Sequence, residues 1–186
     1  PVLIDFEDAS GAGGGSSTML TTKGMVFDWS VLSPSKPVFV PQGAAGGGGI
    51  EMLFCGWCEA NNGTSLYAAD GSLFDLTSFR FGSLNLSGNP SIPYNGTVTG
   101  YLAGGGTVSQ NFSLALGTSD LISFDGSWTG LVSVDIVVAT LADGHQPFDA
   151  FGIDNVAVNV VPIPAAVWLF GSGLGLLGWL RHRKTA

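Results

Sequence analysis

The chain has 186 residues, of which only 11% are charged, and 14 carboxylates against 6 Lys and Arg give it a net charge of −8. An apolar share of 45% is too high for an intrinsically disordered chain. A pI near 4.3 excludes nucleic-acid binding through the phosphates, which needs clustered Lys and Arg. The length suits one domain with an appendage, and the charge divides accordingly. Residues 1–160 carry all 14 carboxylates and only Lys23, Lys36 and Arg80, a net charge of −11, whereas 161–186 carry no acid and a net charge of +3. So sharp an asymmetry predicts two parts in different surroundings.

Residues 1–160 read as β-structure. Candidate strands in chain order are 2–6, 25–31, 51–55, 65–68, 74–81, 97–102, 108–116, 132–138 and 148–160. The clearest is 108–116, where Val108, Gln110, Phe112, Leu114 and Leu116 alternate with Ser109, Asn111, Ser113 and Ala115. Asn62-Gly63, Asn95-Gly96 and Gly104-Gly105-Gly106 predict turns. The glycine runs at 11–15 and 46–49 predict loops, and neither matches the GxxxxGK[ST] pattern that cradles phosphates. No internal repeat and no helical period precede residue 164. Many short strands with frequent turns predict an antiparallel β-sandwich or jelly roll. Near its end the pattern slips: apolar positions run Phe151, Ile153, then Val156, Val158. The change of phase at Asp154-Asn155 predicts a bulge, or a polar group forced inward.

From Pro164 to Leu180 the chain has 17 residues without a charge. As a helix these would extend roughly 26 Å, the lower edge of a membrane span. Trp168 and Trp179 lie near its ends, where amphipathic rings favour the headgroup region. Gly171 and Gly175 form a GxxxG pair suited to close helix contact. Arg181, His182, Arg183 and Lys184 follow, which places that end in the cytoplasm and the acidic body outside. The order Val161-Pro162-Ile163-Pro164, apolar helix and basic tail resembles a PEP-CTERM sorting signal, with Ile163 where the namesake Glu stands. The resemblance implies a Gram-negative bacterium, export across its inner membrane, retention by the helix 164–180 with the body on the periplasmic side, and cleavage near the proline motif by an exosortase. Its destination would be the cell surface or extracellular matrix. Such proteins begin with a signal peptide, and because the chain starts at Pro1 without a Met, a processed form is expected.

The body resembles jelly-roll domains of the carbohydrate-binding-module type. The matching pieces are Ile4-Asp5-Phe6-Glu7, the region from Thr99-Gly100-Tyr101 to Gly105-Gly106, and Phe151-Gly152-Ile153-Asp154-Asn155-Val156. The resemblance implies a structural Ca²⁺ site where the first and last strands meet, held by Glu7 (or Asp5 or Asp8) and Asp154, whose carboxylates suit a hard cation. Trp29, Trp57, Trp128, Tyr67, Tyr94 and Tyr101 are aromatic surfaces on which sugar rings could stack, Trp57 and Trp128 foremost, although aromatics in a sandwich more often fill its core.

Cys55-Gly56-Trp57-Cys58 is the only cysteine pair. An exported chain predicts a local disulfide between Cys55 and Cys58, since the βαβ context of a redox CxxC is missing. For catalysis the sequence is poor: His145 stands alone in the body, and there is no GxSxG elbow or HExxH helix. Four N-x-[ST] sequons, at Asn62, Asn85, Asn95 and Asn111, are explained by the abundance of Asn, Ser and Thr. The leading expectation is a non-enzymatic exported surface or matrix protein and exosortase substrate. One alternative is an uncleaved single-pass subunit of a larger membrane complex, with Gly171 and Gly175 at the helix contact. Another is a carbohydrate-binding module.

Overall fold

The computed structural model describes residues 1–7, 19–30, 38–41, 50–55, 62–84, 94–115, 118–139 and 150–161. They form twelve strands: β1 (Val2–Ile4), β2 (Met19–Thr22), β3 (Met25–Asp28), β4 (Val38–Pro41), β5 (Ile50–Cys55), β6 (Asn62–Ala68), β7 (Leu73–Leu84), β8 (Tyr94–Leu102), β9 (Thr107–Leu114), β10 (Ser119–Ser123), β11 (Leu131–Ala139) and β12 (Ala150–Val161). Every pairing is antiparallel. All nine candidate strands are present, trimmed or extended at their ends. The expected membrane helix, the basic tail and the proline motif beyond Val161 lie outside the described residues, as do Trp57 and Cys58. Among the described residues no helix is long and apolar enough to cross a membrane.

The strands run in two layers. The first has the order β2-β3-β6-β11-β8-β9. In the second, β12 lies between β7 and a divided edge: β5 pairs with its first half and β1 with its second. β10 flanks β7, and β4 flanks β5. Among the described residues one strand pair, Leu131↔Phe74, links the layers into one hydrogen-bonded network.

Apolar side chains on the facing sides fill the space between, as period-2 alternation requires. Phe112 of β9 meets Phe81 and Phe79 of β7 edge-on, at centroid separations of 4.7 and 6.2 Å. Phe79 continues to Phe124 at 5.7 Å, and Phe124 to Trp128 at 4.4 Å. Such tilted and T-shaped contacts suit the ring quadrupole.

Two expected turns prove to lie in strands. Asn62-Gly63 opens β6, and Asn95-Gly96 sits inside β8. The glycines are needed for room, not for turning. A Cβ on Gly63 would strike the Ile136 carbonyl oxygen, and one on Gly96 would enter the Phe112 ring. On the same inward side of β8, a Cβ on Gly100 would crowd Leu131, Val108 and Trp128. The third expected turn is present between β8 and β9, where Gly105 and Gly106 have φ of 86° and 88°.

The predicted phase slip at Asp154-Asn155 is a bulge. Asn155 has φ +50°, and pairing with β7 shifts between Asp154↔Arg80 and Ala157↔Ser78. It shifts back at Val158↔Leu76, which leaves Thr77 as the extra residue on β7. The displaced backbone is used, because Thr77 O accepts the Phe124 N–H at 2.9 Å and Leu76 N donates to Trp128 O at 3.1 Å. The two bulges cancel, so the core phase is the same on either side of them.

Gly96→Ala should cost about 1–3 kcal/mol, the usual penalty of overpacking a filled core. Gly104→Ala, where an added Cβ meets open space, serves as the control and should be close to neutral. A lowered urea midpoint for the first alone checks the reading; equal midpoints contradict it.

Candidate functional site

The outward face of the first layer follows from the same alternation. On β8 the buried positions are Gly96, Val98 and Gly100, so Asn95, Thr97, Thr99 and Tyr101 point outward. Their partners across β9 are Ser113, Asn111, Ser109 and Thr107 in turn. On the other side of β8, β11 contributes Ser133, Asp135 and Val137, and β6 adds Ser65 and Tyr67. Val26 and Asp28 of β3 complete the face beside Thr21 and Met19 of β2.

A hydrogen-bonded relay crosses its centre. Tyr101 OH donates to Asp135 Oδ2 at 3.0 Å, and Ser65 Oγ donates to Asp135 Oδ1 at 2.6 Å. Acceptance by the carboxylate holds the Tyr101 phenol above its usual pKa. Tyr101 is nonetheless 38% exposed, with its ring held by the relay and accessible from solvent. Tyr67 OH contacts Met19 Sδ at 3.5 Å, a weak acceptor. Towards the far end of β8 and β9, Thr97 Oγ1 donates to Asn111 Oδ1 at 2.9 Å. There Asn95, Gly96, Thr97, Asn111, Phe112 and Ser113 line an open depression of about 460 Å³.

The expected sites fare differently. Trp128 is only 3% exposed and lies against Phe124 in the core. Its ring cannot stack on a sugar, because the cleared space beside Gly100 draws it between the layers. Trp29 is likewise buried, and its indole N–H has no partner among the described residues. Tyr101 and Tyr67 are the described aromatics that reach the outward face of the first layer. The alternation of β8 and β6 is the signal that places them, and it ranks above residue type. Cys55 ends β5, and its expected partner Cys58 is outside the described residues.

The structure brings the first and last strands together, as the Ca²⁺ expectation requires. β1 leaves β12 after Ile4↔Val156, so Asp5–Glu7 depart at the level of the Asp154 bulge. Asp154 is 2% exposed; its Oδ1 accepts the Asn155 N–H at 2.7 Å and its Oδ2 the Asn155 side-chain amide at 3.0 Å. Asp5 is committed elsewhere. Lys23 Nζ bridges its Oδ1 at 2.6 Å and Leu3 O at 2.9 Å, and that hydrogen bond holds the Asp5 carboxyl below its usual range. The bridge ties the β2–β3 hairpin to β1. Glu7 is exposed, and Asp8 is outside the described residues. Among the described residues no three of His, Cys, Asp and Glu come together as a metal site.

No family model matches the chain, and no curated protein does. Among solved structures it is similar to an exo-beta-agarase, at 10% identity over 87% of this chain and 26% of that one, with a TM-score of 0.49. The chain thus spans about a quarter of the agarase's length. It is also similar to TmCBM61, solved in complex with beta-1,4-galactotriose, at 13% identity over 84% of this chain and 94% of the other, with a TM-score of 0.42. A third is the CBM22-1 xylan-binding domain from Paenibacillus barcinonensis Xyn10C, at 15% identity over 87% and 94% of the two chains, with a TM-score of 0.41.

Proposed function

We propose that this chain is a non-catalytic, glycan-binding β-sandwich that works outside the cytoplasm. The observation that carries the reading is the outward face of the first layer. Hydroxyls and amides cover much of it, Tyr101 presents a partly exposed ring, and Asp135 fixes that ring in place. A sugar ring offers an apolar face bordered by hydroxyls. An aromatic ring beside fixed donors and acceptors matches both parts. The resemblance of the body's short motifs to carbohydrate-binding modules agrees with this.

Delivery is a separate proposal, supported by residues 161–186. The proline motif Val161–Pro164, the uncharged run 164–180 and Arg181, Arg183 and Lys184 would hold the chain in the inner membrane until an exosortase cuts it. A third proposal is that Glu7 and Asp154 hold a structural Ca²⁺, supported by the meeting of β1 with the β12 bulge. The ion would cross-link the first and last strands and would supply no catalysis.

Glycan-array binding of the purified chain tests the main reading. Retention on at least one polysaccharide is expected, weakened by about tenfold in Tyr101→Ala, the loss of one anchoring aromatic; absence of binding to every glycan contradicts it. For delivery, mass spectrometry of the C-terminus in producing cells should find an end near Pro164, and a fully intact tail argues against processing. Thermal melts with EDTA and with added Ca²⁺ bear on the metal: the midpoint should fall and recover, and an unchanged midpoint removes the site.

A further inference from the structure

The outward side chains of β8 and β9 form four rungs: Asn95 with Ser113, Thr97 with Asn111, Thr99 with Ser109, and Tyr101 with Thr107. All eight are uncharged and polar. Neither strand contains an acid or a base anywhere along its length. At roughly 3.3 Å per residue the rungs extend about 20 Å from Tyr101 to Asn95. The ladder begins at the relay-held Tyr101 ring and ends in the 460 Å³ depression lined by Asn95, Thr97, Asn111 and Ser113.

Hydrogen-bonding capacity on this ladder is largely unspent. Tyr101 donates to Asp135 and Thr97 to Asn111, whereas among the described residues the side chains of Asn95, Thr99, Thr107, Ser109 and Ser113 make no hydrogen bond. The Thr97 bond also fixes the Asn111 amide, because its oxygen accepts and its NH₂ is left to face solvent. Charge narrows the partner further. The six strands of the first layer hold no Lys or Arg, and their acids are Asp28 and Asp135, both outward. Lys23, in the β2–β3 turn, is occupied by Asp5 and Leu3 O. On these six strands a uronate or sulfated polymer would meet two carboxylates and no counter-charge.

We infer that the β8–β9 ladder is the binding track for a linear neutral polysaccharide, lying along the two strands from Tyr101 to the Asn95–Asn111 depression. The inference rests on the glycan-binding reading and adds the charge class of the ligand and its path. A neutral chain needs many weak, directional contacts in place of charge, and the ladder supplies donors and acceptors at the strand repeat.

Affinity electrophoresis of the intact chain through gels containing neutral xylan, neutral galactan, polygalacturonate or alginate provides the test, run at low and high salt. Retardation is expected in a neutral gel alone, with little dependence on salt. Asn111→Ala and the double variant Thr99→Val/Ser109→Ala should each weaken retardation about tenfold or more, while Leu121→Ala on β10 of the other layer leaves it unchanged. Circular dichroism melts confirm that the variants fold; should Asn111→Ala not fold, Ser113→Ala tests the same depression. Binding confined to the uronate gels overturns the charge class, although the chain would still be a glycan binder. Neutral binding that Tyr101→Ala weakens but the ladder variants do not overturns the path. No retardation in any gel overturns this inference together with the reading beneath it.

Discussion

The seat of Phe112 over Gly96 is the contact on which the rest of the structure depends. A β-strand has two faces, and whichever residues pack inward decide what faces water. On β8 the inward residues are Gly96, Val98 and Gly100, so the strand gives its inner volume to rings from elsewhere. Phe112 takes the place beside Gly96, and Trp128 lies against Gly100. The rings then run from Phe81 through Phe112, Phe79 and Phe124 to Trp128, joining the two layers. A one-residue slip would turn Asn111 and Ser113 inward and Phe112 out. Burial of Phe112 therefore fixes the outward direction of every rung of the ladder. Core and candidate site are two sides of one alternation.

The paired bulges serve the same end in the second layer. β12 must serve β5 along its first half and β1 along its second, and Asp154-Asn155 sits where the partner changes. Asn is among the few side chains that tolerate the left-handed region, and the Asp154 carboxylate accepts the Asn155 N–H there. The compensating residue at Thr77 restores the pairing, so Phe74, Leu76, Phe79 and Phe81 all remain inward. Phe6, at φ +55°, is held in a strained backbone state just past β1, its ring 5.0 Å from that of Phe27. That packing, together with the Lys23 bridge to Asp5 and Leu3 O, anchors the start of the chain to both layers.

Much of this was legible in the residues. Alternation identified β9 and β11 and the all-β antiparallel class, and the slip at Asp154-Asn155 announced its bulge. The strands that were not anticipated, β2, β4 and β10, are short, and none has enough residues to display a period. The glycines misled for a physical reason. Asn-Gly favours a turn by its backbone freedom, but at Gly63 and Gly96 the missing Cβ is needed by a carbonyl and a ring supplied from distant strands. For Trp128 the residues offered a sugar platform beside the commoner role of core filler, and only the fold, with the space beside Gly100 that receives its ring, decides for the core. Of the candidate site, Tyr101 stands out in the sequence as a stacking aromatic, but the polar ladder beside it does not, because no motif marks it. Eight ordinary polar residues become a surface only when β8 and β9 pair in one register.

That surface is the central claim, and its location can be read directly. Titrating the isotopically labelled chain with a soluble neutral oligosaccharide that it binds, followed by amide NMR, should shift resonances along β8, β9 and the part of β11 around Asp135, and leave β7, β10 and β12 still. Shifts confined to the second layer or to the inter-strand loops, with β8 and β9 unmoved, would contradict the account.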